Sequence, residues 1–192
     1  VFMQGASGDM SPNRGQLDTK AYGEALGDHV VALAQSVETK APKEPSIKSK
    51  VNRFKFASRV DFSNPILITA FERAFFPELV ANFVAEFKGG IEPEMTTVLL
   101  NGDLALVGGS GEFFCNHSNR LKQRAYVPNT LFFGYCNGHN MYFPTIEAAS
   151  EGGYGGDPTV SPVQVGAGET MMNQALINIY TMLAKFPPNA AD

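Results

Sequence analysis

The sequence predicts an α/β fold in which a mixed β-sheet is flanked by helices. Three observations predict it. Asn101-Gly102-Asp103 sits between the apolar runs Thr96–Leu100 and Leu104–Val107, and Asn-Gly between apolar runs is the strongest short-range hairpin signal. Thr130–Cys136 is a continuous apolar run, the pattern of a strand buried on both faces of a parallel or mixed sheet. Leu17–Val37 and Glu169–Lys185 carry apolar residues at spacings of three and four, as amphipathic helices do.

Taken in order, Val1–Gln4 reads as a short apolar strand running into the small, polar loop Gly5–Asp9. Ser11-Pro12 closes that loop where a helix can begin, so Ser11 is either a helix cap or an active-site hydroxyl. Tyr22, Leu26, Val30, Leu33 and Val37 form the stripe of the first helix, and Gly27 within it suggests close packing against a neighbour. Ala41–Ser49 is a polar connector, and Lys50–Ser58 alternates as an edge strand does. Pro65–Lys88 reads as two helices broken near Pro77, the second ended by Gly89-Gly90. After the hairpin, Gly108–Gly111 is followed by Glu112, which is expected to open a helix through Leu121. Thr145–Ala149 is a helical turn, Glu151–Gly156 a loop, and Pro187 and Pro188 stop the last helix.

Composition narrows the partners. A chain of 192 residues, 44% of them apolar, has the length and core material of one domain. A net charge of -4 without a basic stripe excludes nucleic acid as the expected partner. No apolar run is long enough to be a transmembrane segment. Cys115 and Cys136 form neither a CxxC pair nor a disulfide framework, which leaves the compartment open.

Three predicted strand ends carry polar residues after glycines: Ser11, Glu112, and the group from His139 to Tyr142. Neighbouring strands would bring these groups to one rim, where open α/β sheets hold ligands. Single motifs are weaker. Gly5–Asp9 lacks the lysine of a phosphate loop, and no Gly-x-Ser-x-Gly elbow is present. His29, His117 and His139 make no His-x-x-x-His pair. By local pattern alone, Tyr142 is a core tyrosine and Glu112 a carboxylate favoured by a helix N-terminus.

In combination and in order, the motifs resemble the neutral/alkaline, non-lysosomal ceramidase family. Gly8-Asp9-Met10-Ser11-Pro12-Asn13 is similar to that family's Gly-Asp-x-Ser-Pro-Asn hexapeptide. Gly111-Glu112-Phe113 with Asn119-Arg120-Leu121 resembles its Gly-Glu-[Phe/Leu]-Thr…Gly-Arg-Arg-Leu segment. Asn137 with Tyr142-Phe143-Pro144-Thr145 resembles its Asn-x-Tyr-x-x-Tyr segment, and Tyr154 falls where the family has a tyrosine facing the scissile amide.

The resemblance implies a zinc-dependent amide hydrolase acting on an N-acyl amide of a ceramide-like lipid or related small molecule. It implies Glu112 and Tyr142 as zinc ligands, and Ser11 and Tyr154 as catalytic residues, Ser11 as nucleophile or as substrate-binding hydroxyl. Zinc would lower the pKa of a water to roughly 7. The family's two histidine ligands lie upstream of the serine hexapeptide. Residues 1–192 therefore correspond to the C-terminal half of one catalytic domain, a half that is incomplete on its own. The expected partner is an N-terminal half, supplied as a missing segment or a separate chain. Without it, exposed apolar surface and poor solubility are expected. A secreted or periplasmic location also follows from the resemblance.

Departures from the family pattern support an alternative. Asn119-Arg120 replaces a doubled arginine, and His139 stands in place of the first tyrosine of Asn-x-Tyr-x-x-Tyr. These changes fit a non-catalytic binding or assembly module that keeps the fold without metal. A third reading, a metal-free serine hydrolase, pairs Ser11 with His139 as base.

Overall fold

A computed structural model describes residues 2–13 and 15–187. The chain divides into two compact units, Val1–Met10 with Ser46–Asp192, and Ser11–Pro45. The smaller unit holds helix α1 (Thr19–Ser36), whose N-cap Asp18 accepts a hydrogen bond from the Ala21 N–H. The helix therefore begins well after Pro12, and the helix-cap reading of Ser11 is overturned. The expected stripe does not enter a core. None of α1 is buried, and Leu26, Val30, Leu33 and Val37 are all exposed. Gly27 faces open space, so close packing does not explain it.

The larger unit carries β1 (Ile47–Arg53), α2 (Pro65–Ala74), α3 (Pro77–Phe87), β2 (Glu94–Leu100) and β3 (Leu104–Gly109). It continues with β4 (Glu112–Phe113), α4 (Cys115–Arg124), β5 (Asn129–Phe133), β6 (Tyr142–Phe143), α5 (Ile146–Glu151) and α6 (Ala167–Met182). The architecture is α/β. Its main sheet runs β1-β2-β3-β5, and a second, two-stranded sheet pairs β4 with β6. The main sheet is mixed, because β1–β2 and β2–β3 are antiparallel while β3–β5 is parallel.

Local chemistry accounts for these elements. Asn101 and Gly102 both adopt positive φ, which closes the β2–β3 hairpin with Leu100 opposite Leu104. Pro65 and Pro77 occupy first-turn positions, where the missing N–H costs nothing, so the two helices separate at Pro77 as predicted. β2 alternates, burying Met95, Thr97 and Leu99. α6 packs on β1 and β2 and sends buried Met171, Ala175, Asn178 and Ile179 into the core. Asn178 is satisfied there, its amide donating to Asn52 Oδ1 at 2.6 Å and Thr97 Oγ1 at 3.1 Å.

Three expectations need correction. The described part of the opening stretch is not a strand, and Phe2 and Met3 are exposed; Val1 lies outside the described residues, as does Pro188. β5 is an edge strand, paired among the described residues with β3, and it is covered on one face only, with Phe132 buried and Leu131 exposed. Glu112 does not open a helix. Its backbone is drawn into the β4–β6 ladder, and α4 starts at Cys115, whose N–H is accepted by the carboxylate of Asp9 at 2.6 Å.

Candidate active site

Glu112 and Tyr142 are brought together by their neighbours in sequence. Phe113 and Phe143 are both fully buried and stack at 4.4 Å with an interplanar angle of 7°. Successive side chains of a strand point to opposite faces, so with both phenylalanines inward, Glu112 and Tyr142 point outward together. β4 and β6 are parallel with Glu112 in register with Tyr142, and Glu112 N–H donates to the Met141 carbonyl at 2.8 Å. Strands so paired lie about 4.8 Å apart, close enough for both side chains to share one ligand. Gly111 makes this approach possible. A Cβ there would stand 2.5 Å from the Phe143 ring and 2.7 Å from the Met141 carbonyl oxygen.

The loop before β6 is held in an unfavourable backbone. Tyr135, Asn137 and Met141 all have φ near +60°, which costs roughly 1–3 kcal/mol at each such residue and points to function where it clusters. Hydrogen bonds to the β3–β4 turn sustain it, from Tyr135 N–H to Gly111 O at 3.1 Å and from Asn140 N–H to Ser110 O at 3.0 Å. Ser110 Oγ also donates to Asn140 Oδ1 at 2.7 Å. The loop delivers His139 to Glu112, with Nε2 3.3 Å from Oε1, and stacks its ring on Tyr135 at 5.8 Å.

Tyr154 reaches the same place from the glycine-rich loop after α5. Its ring meets Tyr142 edge-on at 5.5 Å, and the two hydroxyl oxygens are 3.5 Å apart. The glycines at 152, 153 and 155 all take positive φ, which lets the chain turn back sharply. Burial, the Tyr154 hydroxyl and then the Glu112 carboxylate push the Tyr142 phenol well above its ordinary pKa. Tyr135 shifts the same way, first through burial and then through Glu112, while Ser7 opposes the shift.

The structure thus gathers Glu112, Tyr142 and Tyr154 in one cluster. Ser11 belongs to the smaller unit, where it is exposed in the loop before α1. Two further members, Tyr135 and Ser7, escaped sequence reasoning. Tyr135 lay inside the apolar run Thr130–Cys136, where no motif or period set it apart. Asp9 and Gly8 fix the loop carrying Ser7. Gly8 N–H donates to Phe113 O at 2.9 Å, and a Cβ on Gly8 would lie 2.6 Å from the Glu112 carbonyl oxygen.

The donor chemistry of this cluster fits part of a zinc site. The Glu112 side chain is only 17% exposed, and His139 Nε2 stands 3.3 Å from its carboxylate. A carboxylate so placed favours a nearby cation. Among the described residues, no three His, Cys, Asp or Glu side chains converge, so carboxylate and phenol oxygens are the donors this pair offers.

The fold is similar to part of the chain in two solved ceramidase structures. No family model and no curated protein matches the sequence. Among solved structures, neutral ceramidase from Pseudomonas aeruginosa matches over 100% of this chain with a TM-score of 0.61 at 13% identity. A ceramidase complexed with C2 matches over 100% of the chain with a TM-score of 0.67 at 14% identity. The chain spans 38% and 40% of the length of those two proteins.

Proposed function

We propose that the chain is part of a zinc-dependent amide hydrolase of ceramidase type, which cleaves the N-acyl bond of a ceramide-like lipid. The observation that supports this reading is the outward pairing of Glu112 with Tyr142 on a ceramidase-like fold. Glu112 and Tyr142 would hold the zinc together with two histidines from an N-terminal half, present as a further segment or a separate chain. Bound there, zinc supplies Lewis acidity and water activation at neutral pH.

The chain's own residues do the rest. Tyr142 would hold the metal as its phenolate, an ionisation that burial, the Tyr154 hydroxyl and the Glu112 carboxylate oppose without a cation. Tyr154, 79% exposed, offers its hydroxyl to the oxygen that becomes negative as the amide carbonyl is attacked. The ceramidase resemblance also implies a role for the Ser11 hydroxyl, as nucleophile or as hydrogen-bonding partner of the amide. In the net reaction the C–N bond breaks, the acyl carbon gains hydroxyl and the nitrogen gains a proton, leaving a carboxylic acid and an amine.

The test is release of fatty acid from an N-acyl sphingoid base by the intact protein that carries this chain. Wild type is expected to turn over the amide, with Glu112→Ala at background. Absence of hydrolysis in the zinc-loaded wild type, across N-acyl lipids and small N-acyl amides, would favour the non-catalytic module.

A further inference from the structure

We propose that His139, braced by Tyr135, is a positioning residue for Glu112: its ring N–H holds the carboxylate in place for the metal, and it is not itself a ligand. The inference rests on the zinc reading above and deepens it, by naming what steadies one of this chain's two donors. His139 Nε2 stands 3.3 Å from Glu112 Oε1. An ionised carboxylate only accepts hydrogen bonds, so the proton of this contact sits on Nε2. A ring nitrogen that donates its proton in this way has no lone pair to give a metal. What it supplies is a fixed direction, as the hydrogen-bond partners of metal-binding carboxylates do.

Glu112 lies on a strand of only two residues, and a glutamate side chain has several rotatable bonds to fix. His139 is well placed to fix them because it is itself held. Its ring lies flat on that of Tyr135, with centroids 5.8 Å apart and an interplanar angle of 13°, which sets the direction of Nε2. Asn137, Gly138 and Met141, on either side of it, all have positive φ, so the loop is bent where it presents this side chain. The loop is also tied to the turn that leads into Glu112. Asn140 N–H donates to Ser110 O at 3.0 Å, and Ser110 Oγ donates to Asn140 Oδ1 at 2.7 Å. One residue from His139 and two from Glu112, these bonds fix the separation of donor and acceptor. His139 is also one of the departures from the ceramidase pattern that favoured a module without metal. A donor held against the carboxylate turns that argument round, because the change leaves Glu112 supported.

The test compares Zn²⁺ affinity, by chelator competition, in the intact protein that carries this chain and in its His139→Leu and His139→Gln variants. The His139 side chain is half-exposed, so neither change opens a cavity in the core. His139→Leu removes the donor and is expected to weaken zinc binding by about 10–100-fold, whereas His139→Gln keeps an N–H within reach of Glu112 and is expected to restore most of the affinity. Pulsed electron paramagnetic resonance of the Cu²⁺-loaded protein should count as many coordinated imidazoles in His139→Leu as in wild type. Wild-type affinity in His139→Leu, no recovery in His139→Gln, or one imidazole fewer in His139→Leu would each overturn the inference. If Glu112→Ala loses zinc while His139→Leu binds it as tightly as wild type, the proposed function stands and this inference falls. If wild type takes up no zinc at all, both fall.

Discussion

Glu112 on β4 lies in register with Tyr142 on β6, and the pair is turned outward because Phe113 and Phe143 are stacked in the core behind it. A site built this way depends on packing that never touches a substrate. Phe143→Ala should cost about 3–5 kcal/mol of stability, as large-to-small changes of buried aromatics do. Denaturant unfolding measures it, and metal affinity should fall with it because the β6 backbone loses its anchor.

Gly111 offers a smaller perturbation of the same ladder. A Cβ at this position meets the Phe143 ring and the Met141 carbonyl oxygen well inside contact distance. Gly111→Ala is expected to destabilise by about 1–3 kcal/mol through overpacking. Loss of metal affinity greater than the loss of stability would show that the β4–β6 register itself, not merely the fold, sets the site.

Tyr154 makes an edge-on contact but is mostly exposed, so removing its hydroxyl should leave the fold intact. Tyr154→Phe is expected to lower kcat about 100-fold, roughly 3 kcal/mol, with KM little changed. Steady-state kinetics on an N-acyl lipid checks this, and an unchanged kcat would remove Tyr154 from the chemistry.

His117 gives a pH dependence whose sign follows from burial. The imidazole is 1% exposed, and burial holds its pKa below the ordinary histidine value, although Glu169 pulls the other way. The folded protein therefore keeps His117 neutral while the unfolded chain takes up a proton as pH falls past about 6.5. Its contribution to stability is full above that pH and is lost on acidification, down to the lower folded pKa. Thermal midpoints measured between pH 7.5 and 5 should fall less steeply for His117→Gln than for wild type.

Tyr142 titrates in the opposite range. With its pKa raised by burial, by Tyr154 and by Glu112, it should stay protonated in metal-free protein after exposed tyrosines have ionised near pH 10. Stability it contributes below that pH is lost as pH rises through the folded value. A nearby cation reverses the balance, so zinc should produce phenolate absorbance near neutral pH, absent in Tyr142→Phe.

What the sequence made legible was local. The β2–β3 hairpin, the helix pair split at Pro77 and the final helix each carry their own turn chemistry or periodicity within a short window. The site is not local in that sense. Glu112 and Tyr142 sit in two-residue strands, too short for any period, and their pairing is decided by Gly111 and by phenylalanines that meet only in the folded core. Motif order was the one signal strong enough to single them out. The exposed stripe of α1 shows the converse case, since a helical pattern establishes a helix without saying what covers it. Tyr135 and Ser7 had neither motif nor period, and only the loop geometry places them beside Glu112.

The central claim is that Glu112 and Tyr142 hold a zinc ion. Elemental analysis of the intact protein that carries this chain tests it most directly. One zinc per chain is expected in wild type, and loss of that zinc in both Glu112→Ala and Tyr142→Phe with the fold retained. A folded wild type without zinc, or a full complement of zinc in Glu112→Ala, would contradict it.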